Sequence, residues 1–502
     1  MKKVFKNIFA SALPQIMNII TNLILPGLII ANYGSELNGL ISSTKTIVAY
    51  ISIVGAGISV ATTQALYEPV AKKDIYIIKG MLHATNNMFN KFGIIYCIIL
   101  IASAFIYPLF IDTNVKYWII MFLVIVVGLS GASEFFAVGR CRSFLYANQK
   151  TYVCAVVQAI SLLFSLIIAL IMLKVRANIV LVQLAISFVY VFRACFLTLY
   201  INKNYAEIKK YKEVEPIKAA VEKRGDAMIH QLTGLAVMGS QTTVLSVILG
   251  LKAASIYSIY NIVFSGLQSI CSNLSTAVMP FLGKEFALNN RDRLMRMYDI
   301  TEFAFFNLVS FIYSVAIVLV VPFVSIYTKG ADISYNYPVF SSVFAFSSAF
   351  YILKLPSNAL INISGKFRET RSRALLEAFL TVSLGISLTI LLGIIGVVIG
   401  TAVALLWRCL DTILYTNKWV LKCSNFKSLF RFARTIAIIA LFYVSTILYP
   451  IHCNTYIQWI EYASICSLIS FISLCINSFV FDKDTLKNAF GYIIKRKKCE
   501  EL

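Results

Sequence analysis

Seven ionisable side chains stand inside or at the edge of long apolar runs: the cations Lys45, Arg193, Lys354 and Arg408, and the carboxylates Glu134, Glu377 and Asp411. A charge in the middle of hydrocarbon costs about 2.5–3.5 kcal/mol on insertion scales, so such side chains turn toward protein, water or a counter-charge. Four cations in four separate runs suit a binding route for an anionic ligand. Snorkelling to a headgroup layer is the other reading, above all for Lys45 and Arg193. Arg408 and Asp411 are three residues apart, a helical spacing that puts both on nearly one face and allows them to neutralise each other. Glu377 follows Arg371 and Arg373. Glu134 and Asp411 are the better candidates for an ion-coupling carboxylate, which must change protonation or ion occupancy during transport.

The elements that carry these residues are apolar segments near twenty residues long, the length of a membrane-spanning helix. The chain is 59% hydrophobic and 14% charged, with mean hydropathy +0.79, far from the composition of a water-soluble domain. Spans are expected at 8–32, 41–66, 92–111, 117–139, 151–173, 178–200, 227–250, 254–282, 301–323, 338–360, 374–392, 394–416, 432–450 and 457–479. The predicted fold class is all-α, a polytopic membrane protein of about 14 helices. Its parts are an N-terminal six-helix lobe (1–200), a cytoplasmic linker (201–226), a C-terminal six-helix lobe (227–416), an additional helix pair (417–480) and a basic tail (481–502).

Basic residues fix the orientation, because Lys and Arg of short loops are retained on the cytoplasmic side. Of 45 Lys and Arg, 36 fall in segments that this register assigns to the inside and five (Lys116, Lys174, Arg176, Lys252 and Lys329) in outer loops. A missed span would invert every later loop, so the asymmetry supports an even count with both termini cytoplasmic. The net charge of +22 then reports orientation and attraction to anionic lipid, with the basic run at 495–498 as a headgroup contact, and no nucleic-acid partner is implied. The opening MKKVFKNIF is read as the start of an uncleaved first span.

Other chemistries lack their residues. The 11 cysteines include no CxxC pair, which argues against a disulfide framework or metal cluster. His83, His230 and His452 lack ligand spacing, and no GxxxxGK[ST] phosphate loop occurs. A transporter rather than an enzyme is expected, without cofactor, drawing on a proton or sodium gradient if ion-coupled. Pro14 and Pro26 in the first span, and Gly55 and Gly57 in the second, permit bending. GIIGVVIG at 393–400 suits a tight turn followed by close helix packing. ANYGSELNGLISS at 31–43 and LGLKAASIYSIYN at 249–261 occupy equivalent places after spans one and seven, a faint sign of duplication.

The segment YGSELNGLISSTKTIVAYISIVGAGISVATTQALYEPVAKKD at 33–74 resembles the opening of Wzx-like polysaccharide flippases, within the superfamily of multidrug, oligosaccharidyl-lipid and polysaccharide exporters. The resemblance continues in CRSFLYANQKTYV (141–153), SIYSIYN (255–261), FVSIYTKGADISYNYPVF (323–340), LKLPSNALINISGKFRET (353–370) and LLEAFLTVSLGISL (375–388). It implies a fold like that of MATE and MurJ, and transfer of undecaprenyl-pyrophosphate-linked oligosaccharide to the outer leaflet of the bacterial inner membrane for capsule, O-antigen or related glycan. A polysaccharide polymerase and other assembly proteins are the implied partners. Arg142, Arg193, Lys354 with the following Pro356, and Glu377 match family positions, while Asn148 and Thr242 stand where acidic residues are common. Three alternatives remain open: a lipid II flippase, a cation-coupled multidrug exporter, and a structural or assembly membrane protein.

Overall fold

Hydrocarbon offers no partner for an exposed N–H or C=O group, so apolar runs of this length close their backbone bonds internally, as helices. The computed structural model describes residues 2–208, 211–217, 224–288, 290–366 and 369–489, and among them no strand occurs. The basic run at 495–498 and part of the linker lie outside the described residues, as does the side chain of His230. The chain forms two compact units, Met1–Ser258 with Gly330–Ile333, and Ile259–Lys329 with Ser334–Leu502.

The first unit contains α1 (Lys2–Tyr33), α2 (Ser35–Ser52), α3 (Ala56–Lys72), α4 (Ile75–Ile106), α5 (Tyr117–Ser133), α6 (Gly139–Ala147), α7 (Thr151–Lys174), α8 (Ile179–Asn204), α9 (Arg224–Ile248) and the start of α10 (Leu251–Ala287). The second contains the rest of α10, α11 (Arg291–Tyr327), α12 (Pro338–Leu353), α13 (Leu355–Ile363), α14 (Arg371–Leu392), α15 (Ile394–Tyr415), α16 (Phe426–Leu448) and α17 (Tyr456–Phe481). The division by contacts thus falls within α10, beyond the linker expected at 201–226.

Among the described residues, 11 helices are long and apolar enough to cross a membrane, or 12 if Ser35–Ser52 and Gly57–Lys72 form one broken span. Each of the fourteen expected segments lies on helical chain, and for several of them, 227–250 and 254–282 included, the side chains are described only in part. The segment 227–250 lies on α9, whose part Thr233–Ile248 is a shorter apolar helix, and 254–282 lies on α10, where Ser255, Ser258, Asn261, Ser265, Gln268 and Ser269 interrupt the apolar residues. The broken span bends by 46° through a 3-10 turn at Ile53–Gly55, where the sequence offers Gly55 and Gly57.

Helix starts follow local chemistry. Side chains of Asp74, Asn178 and Asn290 accept hydrogen bonds from Ile77, Val180 and Arg293 N–H at 3.1, 2.9 and 3.1 Å, which satisfies donors that a first turn otherwise leaves orphaned. Gly34 precedes α2 and Gly250 precedes α10, both at φ +86°, so the two segments suggestive of duplication both start from a left-handed glycine. Asp332 explains why Gly330–Ile333 belongs to the first unit: its Oδ1 accepts from Ser35 N at 2.8 Å and Ser35 Oγ at 2.5 Å. Partial burial alone would push this carboxyl up, but the hydrogen bonds from Ser35 prevail and hold it below the usual carboxylate range.

In the first unit α1 packs on α7, α5 on α8, and α9 on α2 and α3, around a core that includes Ile29, Leu40, Tyr96, Leu123, Phe135 and Val182. In the second, α14 and α15 form a tight hairpin turned at Gly393, φ +64°. A Cβ at Gly396 would lie 1.9 Å from the Leu388 carbonyl oxygen, and one at Gly400 would lie 2.7 Å from Gly385 N. The glycines are therefore what lets the two backbones touch. Gly400→Val is expected to destabilise the protein by about 1–3 kcal/mol through overpacking, read as a lower Tm in detergent. An unchanged Tm would show that the hairpin spreads without cost.

The extra helix pair is held by charge as well as by apolar contact. Arg431 of α16 is 2% exposed and meets Asp299 at 2.7 Å and Glu302 at 3.1 Å, both on α11, and Asp482 just past α17 at 2.7 Å. Higher up, Trp459 Nε1 donates to the Leu319 carbonyl at 3.0 Å.

Candidate functional site

Within the first unit, α1, α2, α5, α7 and α8 enclose a polar cavity of about 440 Å³, lined among others by Asn18, Asn22, Lys45, Glu134, Gln183 and Arg193. Three of the seven embedded charges therefore share one space although they lie on three different spans. Lys45 is exposed in it and has no ion-pair partner among the described residues. Glu134 opens a π-helical turn, Glu134–Val138, between α5 and α6. Such one-turn departures occur often at functional sites because they re-aim a side chain. The carboxylate meets Arg142 at 2.7 Å and Arg193 at 3.2 Å. The Arg193 side chain is 13% exposed, and its buried Nε has no hydrogen-bond partner among the described residues. Two cations and one carboxylate on the walls leave a net positive space, with amide and hydroxyl groups around it.

The second unit treats its charges differently. Lys354 stands between α12 and α13, where Pro356 at the start of α13 prevents one continuous helix. Its Nζ donates to Glu377 Oε1. Arg408 meets Glu377 at 3.3 Å and Asp411 at 2.8 Å, and Arg373 also pairs with Asp411. Cations and carboxylates alternate along this chain, and Arg408 and Glu377 are only 6% and 7% exposed. The seven residues are thus divided: Lys45, Glu134 and Arg193 gather at a cavity, whereas Lys354, Glu377, Arg408 and Asp411 are joined in a buried ion-pair chain.

Removing one member of such a chain strands the others. Glu377→Gln is expected to lower stability by about 3 kcal/mol, because Lys354 loses its carboxylate and stays buried, whereas Lys354→Met with Glu377→Met is expected to cost less. Thermal unfolding of the two variants in detergent compares them, and equal Tm values would show that the charges are compensated by water.

Asn18, Asn22, Gln183 and Tyr190, all on the cavity wall, escaped the reading of the sequence. Asn18 and Asn22, one turn apart inside an apolar run and in mutual hydrogen bond at 3.3 Å, are the signal that was available. Arg142 was named through the family resemblance and Arg373 as a neighbour of Glu377, but their pairing with Glu134 and Asp411 was not foreseen.

The helical order and packing can be compared with solved structures. A lipid II flippase MurJ, inward closed, superposes with TM-score 0.66 at 13% identity, covering 94% of this chain and 99% of that one. The fold is MATE-like and MurJ-like. An inward-facing multidrug resistance MATE transporter of the MOP superfamily gives TM-score 0.65 at 12% identity, covering 86% and 98%. A point mutant of the Vibrio cholerae MATE transporter VcmN gives 0.60 at 14%, covering 83% and 96%. Comparison with protein families gives no match, and neither does comparison with curated proteins. A MATE- and MurJ-like fold in a chain with this many apolar helices makes a multi-pass membrane protein.

Proposed function

We propose that this protein is a flippase that carries a polyprenyl-pyrophosphate-linked oligosaccharide from the cytoplasmic to the outer leaflet of a bacterial inner membrane, with both termini cytoplasmic. The observation that carries the reading is the net positive polar cavity at Lys45 and Arg193. Sugars and pyrophosphate cannot enter hydrocarbon unaided, because stripping their water costs several kcal/mol per polar group. A guanidinium, an ammonium and the amides of Asn18, Asn22 and Gln183 replace that water. Glu134 holds Arg193 until the phosphate competes for it, and a proton or sodium ion taken up by Glu134 would then couple transport to a gradient. Lys354 and Arg408, each buried on a carboxylate and neither on the wall of this cavity, act later in this scheme. A glycan polymerase and other assembly proteins would take the product onward.

Lipid II is the second reading, favoured by the extent of the match to MurJ, itself a lipid II flippase. Export of cationic drugs is disfavoured by a cavity with more positive than negative charge. Reconstitution in proteoliposomes tests the three, with outer-leaflet appearance of a defined undecaprenyl-pyrophosphate oligosaccharide scored beside lipid II and a cationic dye. Selective movement of the oligosaccharide is the expected result. Movement of lipid II or dye alone would transfer the function to that class.

A further inference from the structure

A second cavity lies on the other side of Arg193. Between α7 and α8 runs a groove of about 810 Å³ whose walls are nearly all apolar, including Val156, Ile160, Phe164, Phe192, Phe196 and Leu199. Arg193 lines this groove and also lines the polar cavity. The groove extends from Tyr152 to Ile168 along α7, about 24 Å at the 1.5 Å rise of a helix. That shape is long for its volume, and it suits an extended chain rather than a compact headgroup.

We propose that the α7/α8 groove holds the isoprenoid tail of the lipid-linked substrate, with Arg193 at the junction where tail gives way to pyrophosphate. The inference rests on the function proposed above and adds to it the place of the hydrocarbon. Two observations commit the groove to this occupant. Its lining is apolar over a length close to the hydrocarbon thickness of one membrane, roughly 30 Å. Its one cation is shared with the polar cavity, so a ligand seated in both must have an anionic group at the boundary between an apolar and a polar part. An ordinary phospholipid satisfies the apolar lining but has no large polar part to occupy the adjoining cavity.

Photolabelling of the full chain in nanodiscs tests this. The probe is a polyprenyl pyrophosphate with a diazirine on the isoprene units nearest the pyrophosphate, and labelled peptides are mapped by mass spectrometry. Labelling is expected within 152–168 and 189–200, competed by unlabelled polyprenyl pyrophosphate but not by polyprenol. Arg193→Gln is expected to weaken it roughly tenfold, the loss of one charge-assisted hydrogen bond. The map in the unaltered protein stands whether or not that variant folds. Equal labelling by a diazirine phosphatidylglycerol without competition, or equal competition by polyprenol, overturns the inference. Competed labelling confined to other helices overturns it but leaves the proposed function standing. Absence of competed labelling anywhere overturns both.

Discussion

Arg193→Gln is expected to slow translocation roughly 10- to 100-fold in protein that inserts and folds normally. The size follows from losing one or two hydrogen bonds to a charged group, worth about 1.5–3 kcal/mol, at tenfold per 1.4 kcal/mol. Lys45→Gln is expected to act in the same direction, and more weakly, because a lone ammonium lacks the fork that a guanidinium offers to phosphate. Arg193 also balances Glu134 at 3.2 Å, so loss of activity alone would not separate ligand binding from charge balance. The pair Glu134→Gln with Arg193→Gln makes the distinction. If Arg193 only neutralises Glu134, the double variant is as fast as Glu134→Gln alone; if it holds the ligand, the double variant is slower than Glu134→Gln alone. Initial rates in proteoliposomes give the answer, and wild-type rates for both Lys45→Gln and Arg193→Gln would remove the cavity from the route.

The largest loss of stability is expected at Arg431. Arg431→Met leaves Asp299, Glu302 and Asp482 facing one another without the guanidinium that meets all three. Breaking a buried pair costs about 3–5 kcal/mol, since the charge left behind keeps its desolvation penalty. Arg434 still reaches Asp482, and Lys427 remains on Asp299 at 2.8 Å, so Glu302, almost wholly buried, bears most of the loss. The expected readouts are a markedly lower Tm and protease cleavage between α16 and α17. Adding Glu302→Leu to Arg431→Met should recover part of the Tm. A double variant less stable than the single would show that Glu302 is held by its other partners, Ser428 at 3.0 Å and Tyr298 at 3.4 Å.

These sites also mark where the sequence stops being readable. Helix positions were legible because twenty apolar residues can satisfy their backbone in a membrane in few ways, and the hairpin at Gly393 because glycine chemistry is local. Partner choice was less accessible. Arg431 was legible as a basic residue near a span end, but its carboxylates come from positions 299, 302 and 482, a meeting that only tertiary packing arranges. Likewise nothing in the spacing of Lys45, Glu134 and Arg193 says that they share a wall, or that Lys354 and Arg408 share Glu377.

The π-helical turn at Glu134–Val138 fixes the phase of one span. In an unbroken α-helix, residues 134 and 142 would point about 80° apart around the axis, whereas one additional residue in the turn reduces the difference to about 20°. That is how Arg142 comes to share Glu134 with Arg193. The turn therefore behaves as a single-residue insertion that evolution could gain or lose in one event. Deleting one residue of 135–138 would return the turn to plain α-helix and keep Arg142 within about 20° of Glu134, whereas winding all the residues as regular α-helix would swing Arg142 about 80° away, leaving every charged residue present and the hydropathy profile untouched. Relatives of this chain with the same inventory of charges could thus differ in which arginine faces the ligand, a change in ligand preference that composition would not disclose.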